Sequence, residues 1–346
     1  MNVAVAGCGS LGGVIAVRLA QRQELRLEVL NRNPLIAAAA SREGLRLRAG
    51  GRWSSARVAL AAEASRGPYD AVILAQKANG LEQACRELLP VLAPRGFFVT
   101  LQNGLVGLDL LQVFGPKKVV PGCVLWGASM IEPGAYELTA SGPFLLPDAA
   151  AAAPTAAREL LSLIFPVRPC PDIAAVLWSK LAISASFTSL GALTGLRFGR
   201  LAAWPAARRL ILEIGAEVWN VARAQGVERG PLGGGMNMRR FLQPAGAGGY
   251  PQGLKHLLVR VLGWKHRRTE SSMLDSLRRG RPTEIDFLNA RIVRIAEQAG
   301  LPSPFNQAVC RLVAELERGE REPRVSNLAE LADRAAAMRQ DDRRAR

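Results

Sequence analysis

Residues 177–195 read LWSKLAISASFTSLGALTG, a run in which Lys180 is the one charged side chain. The chain holds only six lysines, Lys77, Lys117, Lys118, Lys180, Lys255 and Lys265, in a total of 45 lysines and arginines. A lysine kept in an arginine-rich chain offers what a guanidinium cannot, a compact ammonium able to give up its proton. Ser184 and Thr188 follow four and eight residues on, a spacing that lays all three along one helical face. Further on, RRTESSMLDSLRRGRPTEIDFLNARIV joins Ser271 and Ser272 to Glu284 and Asp286. Glu284 is expected inside an apolar helical pattern after Pro282, where a carboxylate wants a partner. A buried lysine and a buried glutamate are natural partners, and burial tunes the proton affinity of both.

A second cluster lies at the other end of the chain. VAVAGCGSLGG places Gly7, Gly9 and Gly12 in G-x-G-x-x-G, directly after an apolar strand pattern and at a helix start. The first glycine allows the tight turn, the second lets backbone approach a pyrophosphate, and the third allows close helix–strand packing. The helix N-terminus then meets the negative charge. The loop Gly7, Cys8, Gly9, Ser10, Leu11 and Gly12 is thus expected to bind a dinucleotide. The second strand ends in EVLNRN, so Asn31 and Arg32 stand where an NAD site usually has an acidic residue. An arginine beside a neutral residue suits a ribose 2′-phosphate, which favours NADPH; the alternative is a solvated loop arginine. LAQKANG and TLQNG put Lys77 and Asn103 at the C-terminal ends of further strands, where ligands bind in open α/β sheets.

These residues need particular elements to hold them. NVAVA (2–6), LRLEVL (25–30), YDAVILA (69–75), GFFVTL (96–101) and KVVPGCVLW (118–126) read as strands. LGGVIAVRLAQ (11–21) and GLEQACRELLPVL (80–92) read as helices between them. The alternation predicts α/β architecture, an N-terminal Rossmann-type doubly wound sheet over residues 1–168. Residues 129–147, with turn signals at Pro133-Gly134 and Ser141-Gly142, read as an antiparallel extension. FPVRPCPD (165–172) is proline-dense and reads as a linker, with Asp172 able to cap the next helix. An all-helical domain is expected over 172–330 and a charged, fraying tail over 331–346. Residues 230–253 are glycine-rich and read as a loop, either a lid or a surface insertion.

Composition narrows the classes. At 346 residues and 49% hydrophobic, the chain is long and apolar enough for two cored domains. The formal net charge of +16 admits nucleic acid, a membrane surface or an anionic ligand as partner, or merely reflects an Ala/Gly/Arg-rich composition. No RNA-binding signature, zinc-finger spacing or basic-region heptad appears, so nucleic acid is not expected. Five scattered cysteines and two histidines fit a reducing compartment and argue against a disulfide scaffold or metal site. The N-terminus lacks the basic segment of a signal peptide, and the run after Lys180 reads as too short and hydroxyl-rich for a membrane span. A soluble, cytoplasmic protein without membrane association is expected.

Taken together, GCGSLG (7–12), QKANG (76–80), LQNG (101–104), LWSKL (177–181), SSML (271–274) and TEIDFLN (283–289) resemble the ketopantoate reductase (2-dehydropantoate 2-reductase) family. The resemblance runs over about residues 1 to 318. It implies a Rossmann domain, a helical second domain and an active site between them. It also implies reduction by NADPH of the 2-oxo group of ketopantoate to pantoate, in pantothenate biosynthesis. Lys180 matches the family's catalytic lysine, whose ammonium polarises the 2-oxo oxygen and donates a proton as hydride arrives. Glu284 matches the acidic residue near the substrate hydroxyl, and Ser272 the serine that holds substrate. Asn103 matches an asparagine near nicotinamide and substrate, and Lys77 a lysine of the nucleotide cleft. The family carries asparagines four and eight residues after its lysine, where this chain has Ser184 and Thr188. Shorter hydroxyl arms there leave open ketopantoate itself, another 2-oxo acid, or a non-catalytic NADPH-binding sensor. The partner expected is a small 2-oxo acid, and the assembly a monomer or homodimer.

Overall fold

The computed structural model describes residues 1–148, 151–228 and 237–344. The chain divides into two units, Met1–Gln102 with Val106–Ile173, and Asn103–Leu105 with Ala174–Arg346.

The first unit is built on a six-stranded parallel sheet. Its spatial order is Ala59–Ala61, Arg26–Leu30, Asn2–Ala6, Tyr69–Leu74, Leu92–Thr100, Val119–Pro121. Chain order therefore reverses between Asn2–Ala6 and Tyr69–Leu74, the topological switch point at which doubly wound folds bind ligands. Val3, Val5, Val72, Ile73 and Val99 are wholly buried, as expected of strands covered on both faces. Helices Ser10–Ala20 and Leu81–Leu88 follow the strands Asn2–Ala6 and Tyr69–Leu74, matching the sequence reading to within a few residues.

Three features of this unit differ from that reading. KVVPGCVLW divides into Val119–Pro121 and Cys123–Val124, which belong to different sheets. Gly122 marks the break, because a Cβ there would come within 2.9 Å of Leu146. The antiparallel pair Gly127–Glu132 and Ala135–Ala140 turns at Gly134 (φ 80°), but it also joins in parallel a hairpin, Leu45–Ala49 with Arg52–Ala56. The proline-rich segment is no linker: Val167–Cys170 pairs in parallel with Phe144–Pro147 as an edge strand. An edge position tolerates Pro169 because one side of the strand makes no ladder bonds.

The second unit is helical. Ile173–Ile183 runs through a π-helical turn, Ser184–Thr188, into Ser189–Thr194. Phe198–Ala203, Pro205–Ala224, Met238–Leu242, Gln252–Lys265 and Ser272–Arg278 follow, then Asn289–Gln298, Pro304–Glu317 and Asn327–Arg344. The run Ile173–Thr194 is 22 residues with mean hydropathy 1.4, long and apolar enough to cross a membrane, contrary to the sequence reading. Its most apolar stretch is 72% buried inside the protein, so the apolarity serves a core helix that is covered nearly all round.

Residues 331–340 are not a frayed charged tail but part of the helix Asn327–Arg344. Leu331 and Ala335 are fully buried, and Arg334 pairs with Glu315 and Glu330 while Arg339 pairs with Glu213. The charges of this segment flank an apolar stripe, which composition alone conceals. Of the glycine-rich stretch, residues 230–236 lie outside the described residues. Beyond them, Met238, Phe241 and Leu242 are buried and the Lys255 ammonium donates to the Gln243 carbonyl, while residues 244–248 are exposed.

Candidate functional site

Gly7, the first residue of the glycine loop, lines a cavity of about 740 Å³ at the sheet's switch point. Gly7, Asn31, Arg32, Glu63, Gln76 and Asn79 are among its lining. Gly7 has φ 100°, and a Cβ on it would sit 2.6 Å from the Gln76 amide nitrogen. Gly12 is packed still closer, since its Cβ would lie 1.9 Å from the Gly7 carbonyl oxygen. Gly9 faces open space, with nothing within 4 Å. It also begins the helix Ser10–Ala20 without a side-chain cap. The first-turn amides are thus left for an anion, and the open face of Gly9 leaves room for one. A pyrophosphate fits this donor set.

Support for the loop comes from beneath. The Cys8 side chain is 2% exposed and turned into the core, where its sulfur lies 3.1 Å from the Tyr136 hydroxyl. That hydroxyl donates to the Cys8 carbonyl at 2.8 Å. Burial pushes the Cys8 thiol up to about 11, so it is an inert packing group and reaches a ligand only through its backbone. Gly13, overlooked in the sequence reading, is where the Tyr136 ring lies: a Cβ there would be 2.1 Å from it. The Ser10 hydroxyl accepts from the Met130 amide at 3.0 Å. Gln102 ties two strand ends together, its amide donating to the Leu74 and Gln76 carbonyls at 2.9 Å each.

At the outer rim, the Arg32 side chain is 77% exposed and 3.8 Å from Glu87. Such an exposed pair is worth little, so Arg32 can turn to another anion at small cost. Glu63 and Glu87 line the same cavity. Lys77 is exposed on the loop after Tyr69–Leu74; on that loop Gln76, Asn79 and Gly80 line the cavity.

In the second unit, Lys180 is half-buried near the end of Ile173–Ile183, a helix whose Ala175–Ser179, Leu181 and Ala182 are buried. Ser184, also half-buried, opens the π turn, and Thr188, 8% exposed, closes it. The wide turn breaks the expected α-helical spacing between Ser184 and Thr188. Its hydroxyl-rich sequence explains why it can exist, because side chains serve its carbonyls. Ser186 donates to the Ala182 carbonyl at 2.7 Å, Ser189 to that of Ala185, and Ser271 to that of Thr188 at 2.6 Å.

Ser271 and Ser272 divide their duties. Ser271 is fully buried and caps the helix Ser272–Arg278 through the Leu274 amide at 3.2 Å. Ser272, the first residue of that helix, is exposed. Glu284 is half-buried and is not inside a helix. It precedes a short 3₁₀ turn, Ile285–Phe287, because the Pro282 region and the Thr283 hydroxyl bond to the Ile285 amide hold a bend there. Asn103–Leu105 belong to this unit too: a Cβ on Gly104 would be 2.5 Å from the Phe287 carbonyl, so Gly104 packs directly on the turn that follows Glu284.

A buried polar chain stands behind the π turn. Asn289 donates to the Ala185 carbonyl and to Asn306 Oδ1, both at 3.0 Å. Asn306 donates to Glu217 Oε2 at 2.7 Å, and Glu217 also accepts the Phe305 and Asn306 amides at 2.9 Å. Burial raises the Glu217 carboxyl to about 7 despite those bonds. None of these three was singled out from sequence. A glutamate among ILEIGAEVW, on the buried side of an amphipathic helix, was the available signal.

Comparison with known proteins gives two family matches. Residues 3–151 match the family described as ketopantoate reductase PanE/ApbA, and residues 172–317 its C-terminal domain. The 2-dehydropantoate 2-reductase of Mesorhizobium japonicum is 29% identical over 92% of this chain and 99% of its own. That of Aquifex aeolicus is 22% identical over 90% and 96%. Among solved structures, a PanE/ApbA family ketopantoate reductase from Ralstonia eutropha JMP134 superposes with TM-score 0.76 at 25% identity, covering 92% of this chain and 99% of that one. D-mandelate dehydrogenase in complex with NADH and anilino(oxo)acetate has TM-score 0.77 at 18% identity over 92% and 99%, a likeness of fold.

Proposed function

The chain belongs to the ketopantoate reductase family of nicotinamide-dependent oxidoreductases, and from that premise we propose that it reduces ketopantoate to pantoate with NADPH. The observation that carries this reading is the retention of Lys180, Ser272 and Glu284 in one helical unit, alongside an open glycine loop in the other. When bound, the coenzyme supplies hydride to the carbonyl carbon. Gly7–Gly12 and the first-turn amides of Ser10–Ala20 would hold its pyrophosphate, with Lys77 and Asn103 further contacts. Arg32, released from Glu87, would meet a 2′-phosphate, while Glu63 and Glu87 favour its absence.

The Lys180 ammonium holds the carbonyl oxygen, stabilises the charge that develops there and gives it a proton. Glu284 orients the distal hydroxyl of the substrate, and Ser272, Ser184 and Thr188 contribute hydrogen bonds around it. The protein works as a soluble cytoplasmic monomer or homodimer, without nucleic acid or membrane.

Oxidation of NADPH and NADH, followed with ketopantoate and a panel of bulkier 2-oxo acids, tests this. The expected result is turnover of ketopantoate with NADPH preferred, and loss of about 10³-fold or more in kcat on Lys180→Ala with coenzyme binding intact. A second reading, reduction of a different 2-oxo acid, rests on Ser184 and Thr188; turnover of another acid but not ketopantoate selects it. Binding of NADPH without turnover of any acid overturns both.

A further inference from the structure

A second cavity of about 740 Å³, sharing no lining residue with the first, lies between the helices Phe198–Ala203 and Gln252–Lys265. Two glycines set its floor. A Cβ on Gly263 would lie 2.2 Å from Ala202 Cβ, and one on Gly199 would lie 2.6 Å from Arg267 Cβ. The helices therefore touch along their backbones, and their outer faces form a trough. One wall is small, Gly199, Ala202 and Ala203, while the other carries Leu257, Val261 and Trp264. These three are 53%, 54% and 67% exposed, an apolar stripe that soluble surfaces rarely leave without use.

The trough's charge is entirely of one sign. Arg200, Arg260, Arg267 and Arg268 line it, and no carboxylate does. None of the four pairs with a carboxylate among the described residues. In the same unit Arg278, Arg279, Arg318, Arg321, Arg324, Arg334 and Arg339 all have acidic partners. Arg267 is stacked over Trp264 at 4.9 Å and donates to its carbonyl, which fixes one guanidinium at the trough's end. Like charges gathered over an apolar floor repel one another until an anion arrives.

We propose that this trough binds a free straight-chain carboxylate, its aliphatic chain lying along Leu257, Val261 and Trp264 and its head held by the arginines. The length fits: Leu257 to Trp264 covers about 10 Å of helix, enough for the extended chain of octanoate. The volume is that of a small-molecule site. Guanidinium is the group best shaped to grip a carboxylate with paired hydrogen bonds. A second copy of the chain packed across a two-fold axis would instead set the arginines of one trough against those of the other. A bilayer surface is broad and flat, while this floor is recessed between two helices.

Calorimetric titration of the full chain with hexanoate, octanoate and decanoate below their micellar concentrations tests the assignment. Saturable one-to-one binding is expected, tightening about two- to fourfold per methylene. 1-Octanol should bind at least about tenfold more weakly than octanoate, having no charge for the arginines. Val261→Glu, at an exposed position, should abolish binding while leaving the helical circular dichroism unchanged. Arg260→Gln with Arg268→Gln should weaken octanoate and leave octanol unaffected. The proposal is overturned by absence of saturable binding, by equal affinity for octanol and octanoate, or by wild-type affinity in Val261→Glu. Association only with vesicles containing anionic phospholipid overturns it equally, and marks a membrane contact instead.

Discussion

Asn289 is the residue at which the architecture of the second unit bears most directly on the reaction. It is wholly buried, and its one amide group donates both to the π turn and to Asn306. Asn289→Leu keeps the branching at Cγ, adds some volume and removes both donors. The Ala185 carbonyl retains the Ser189 hydroxyl, so losing the Asn289 bond costs about 1 kcal/mol. Asn306 Oδ1 loses this donor in a buried setting, a cost of about 1–3 kcal/mol. Against this, Asn289 Oδ1 is itself buried without a partner, and removing it returns about 1 kcal/mol. The net loss is about 2 kcal/mol, or about 4–8 °C in Tm for a unit of this size.

The kinetic effect should exceed the stability effect. The turn between Lys180 and Thr188 loses one of the donors that hold it open, and a shift of about 1 Å at reacting groups can cost about 100-fold. Initial rates read from reduced-nicotinamide absorbance should therefore show kcat/KM falling about 10- to 100-fold. Coenzyme Kd should stay within about twofold, because the glycine loop belongs to the other unit. Amide hydrogen exchange over 182–190 should quicken, a readout independent of substrate identity. A variant whose Tm falls as expected while kcat/KM and exchange stay at wild-type values would refute the argument and leave Asn289 a packing residue.

Other expected outcomes follow from separate features. Gly9→Ala should leave Tm within about 1 °C, since its Cβ meets nothing, yet weaken coenzyme binding about tenfold or more by filling the approach to the pyrophosphate. Gly13→Ala should instead destabilise by about 2 kcal/mol or more, because the Tyr136 ring must move; equal behaviour of the two variants in thermal melts and coenzyme titrations would contradict the assignment. Glu217 has its folded carboxyl raised to about 7, so the folded state binds more protons than the unfolded one between about pH 4.5 and 7. Stability from this group is accordingly present at the acid end and lost as pH rises, by up to about 3 kcal/mol, and Glu217→Gln should flatten that slope in urea unfolding at pH 5 and 8. Removal of residues 327–346 should lower Tm by several degrees through loss of Leu328, Leu331 and Ala335 from the core, whereas a frayed tail would make the truncation silent.

The sequence made the sheet and the nucleotide loop legible because local chemistry determines both. Apolar runs of five or six residues announce strands buried on two faces, and glycine spacing announces a loop that tolerates no Cβ. Gly13 escaped notice because its constraint comes from Tyr136, more than a hundred residues away. The hairpin Leu45–Ala56 was overlooked although LRLRAGGRW carries alternation and a Gly-Gly turn, a local signal that was available. The proline strand and the final helix were misread because composition suggested loops, while an edge pairing and a buried stripe decided otherwise. In the second unit, residue types named the chemistry at Lys180, Glu284 and Ser272. Their supports, Ser271, Asn289, Asn306 and Glu217, are joined only by tertiary hydrogen bonds that no spacing reveals.

The π turn has a bearing on how such a site can diversify. A helix that contains a wide turn holds one residue more than its length requires. Deleting a single residue within 184–188 would let the helix close to regular geometry and would leave the residues beyond it facing as they do, because the wide turn is what absorbs the extra residue. The groups from Ser189 onward would then keep their directions relative to Lys180, while the residues of the turn itself would face new ones. Insertion and deletion at this point thus form a route to altered substrate range separate from side-chain replacement. Relatives are best aligned here by the direction their side chains face, and not by counting along the chain.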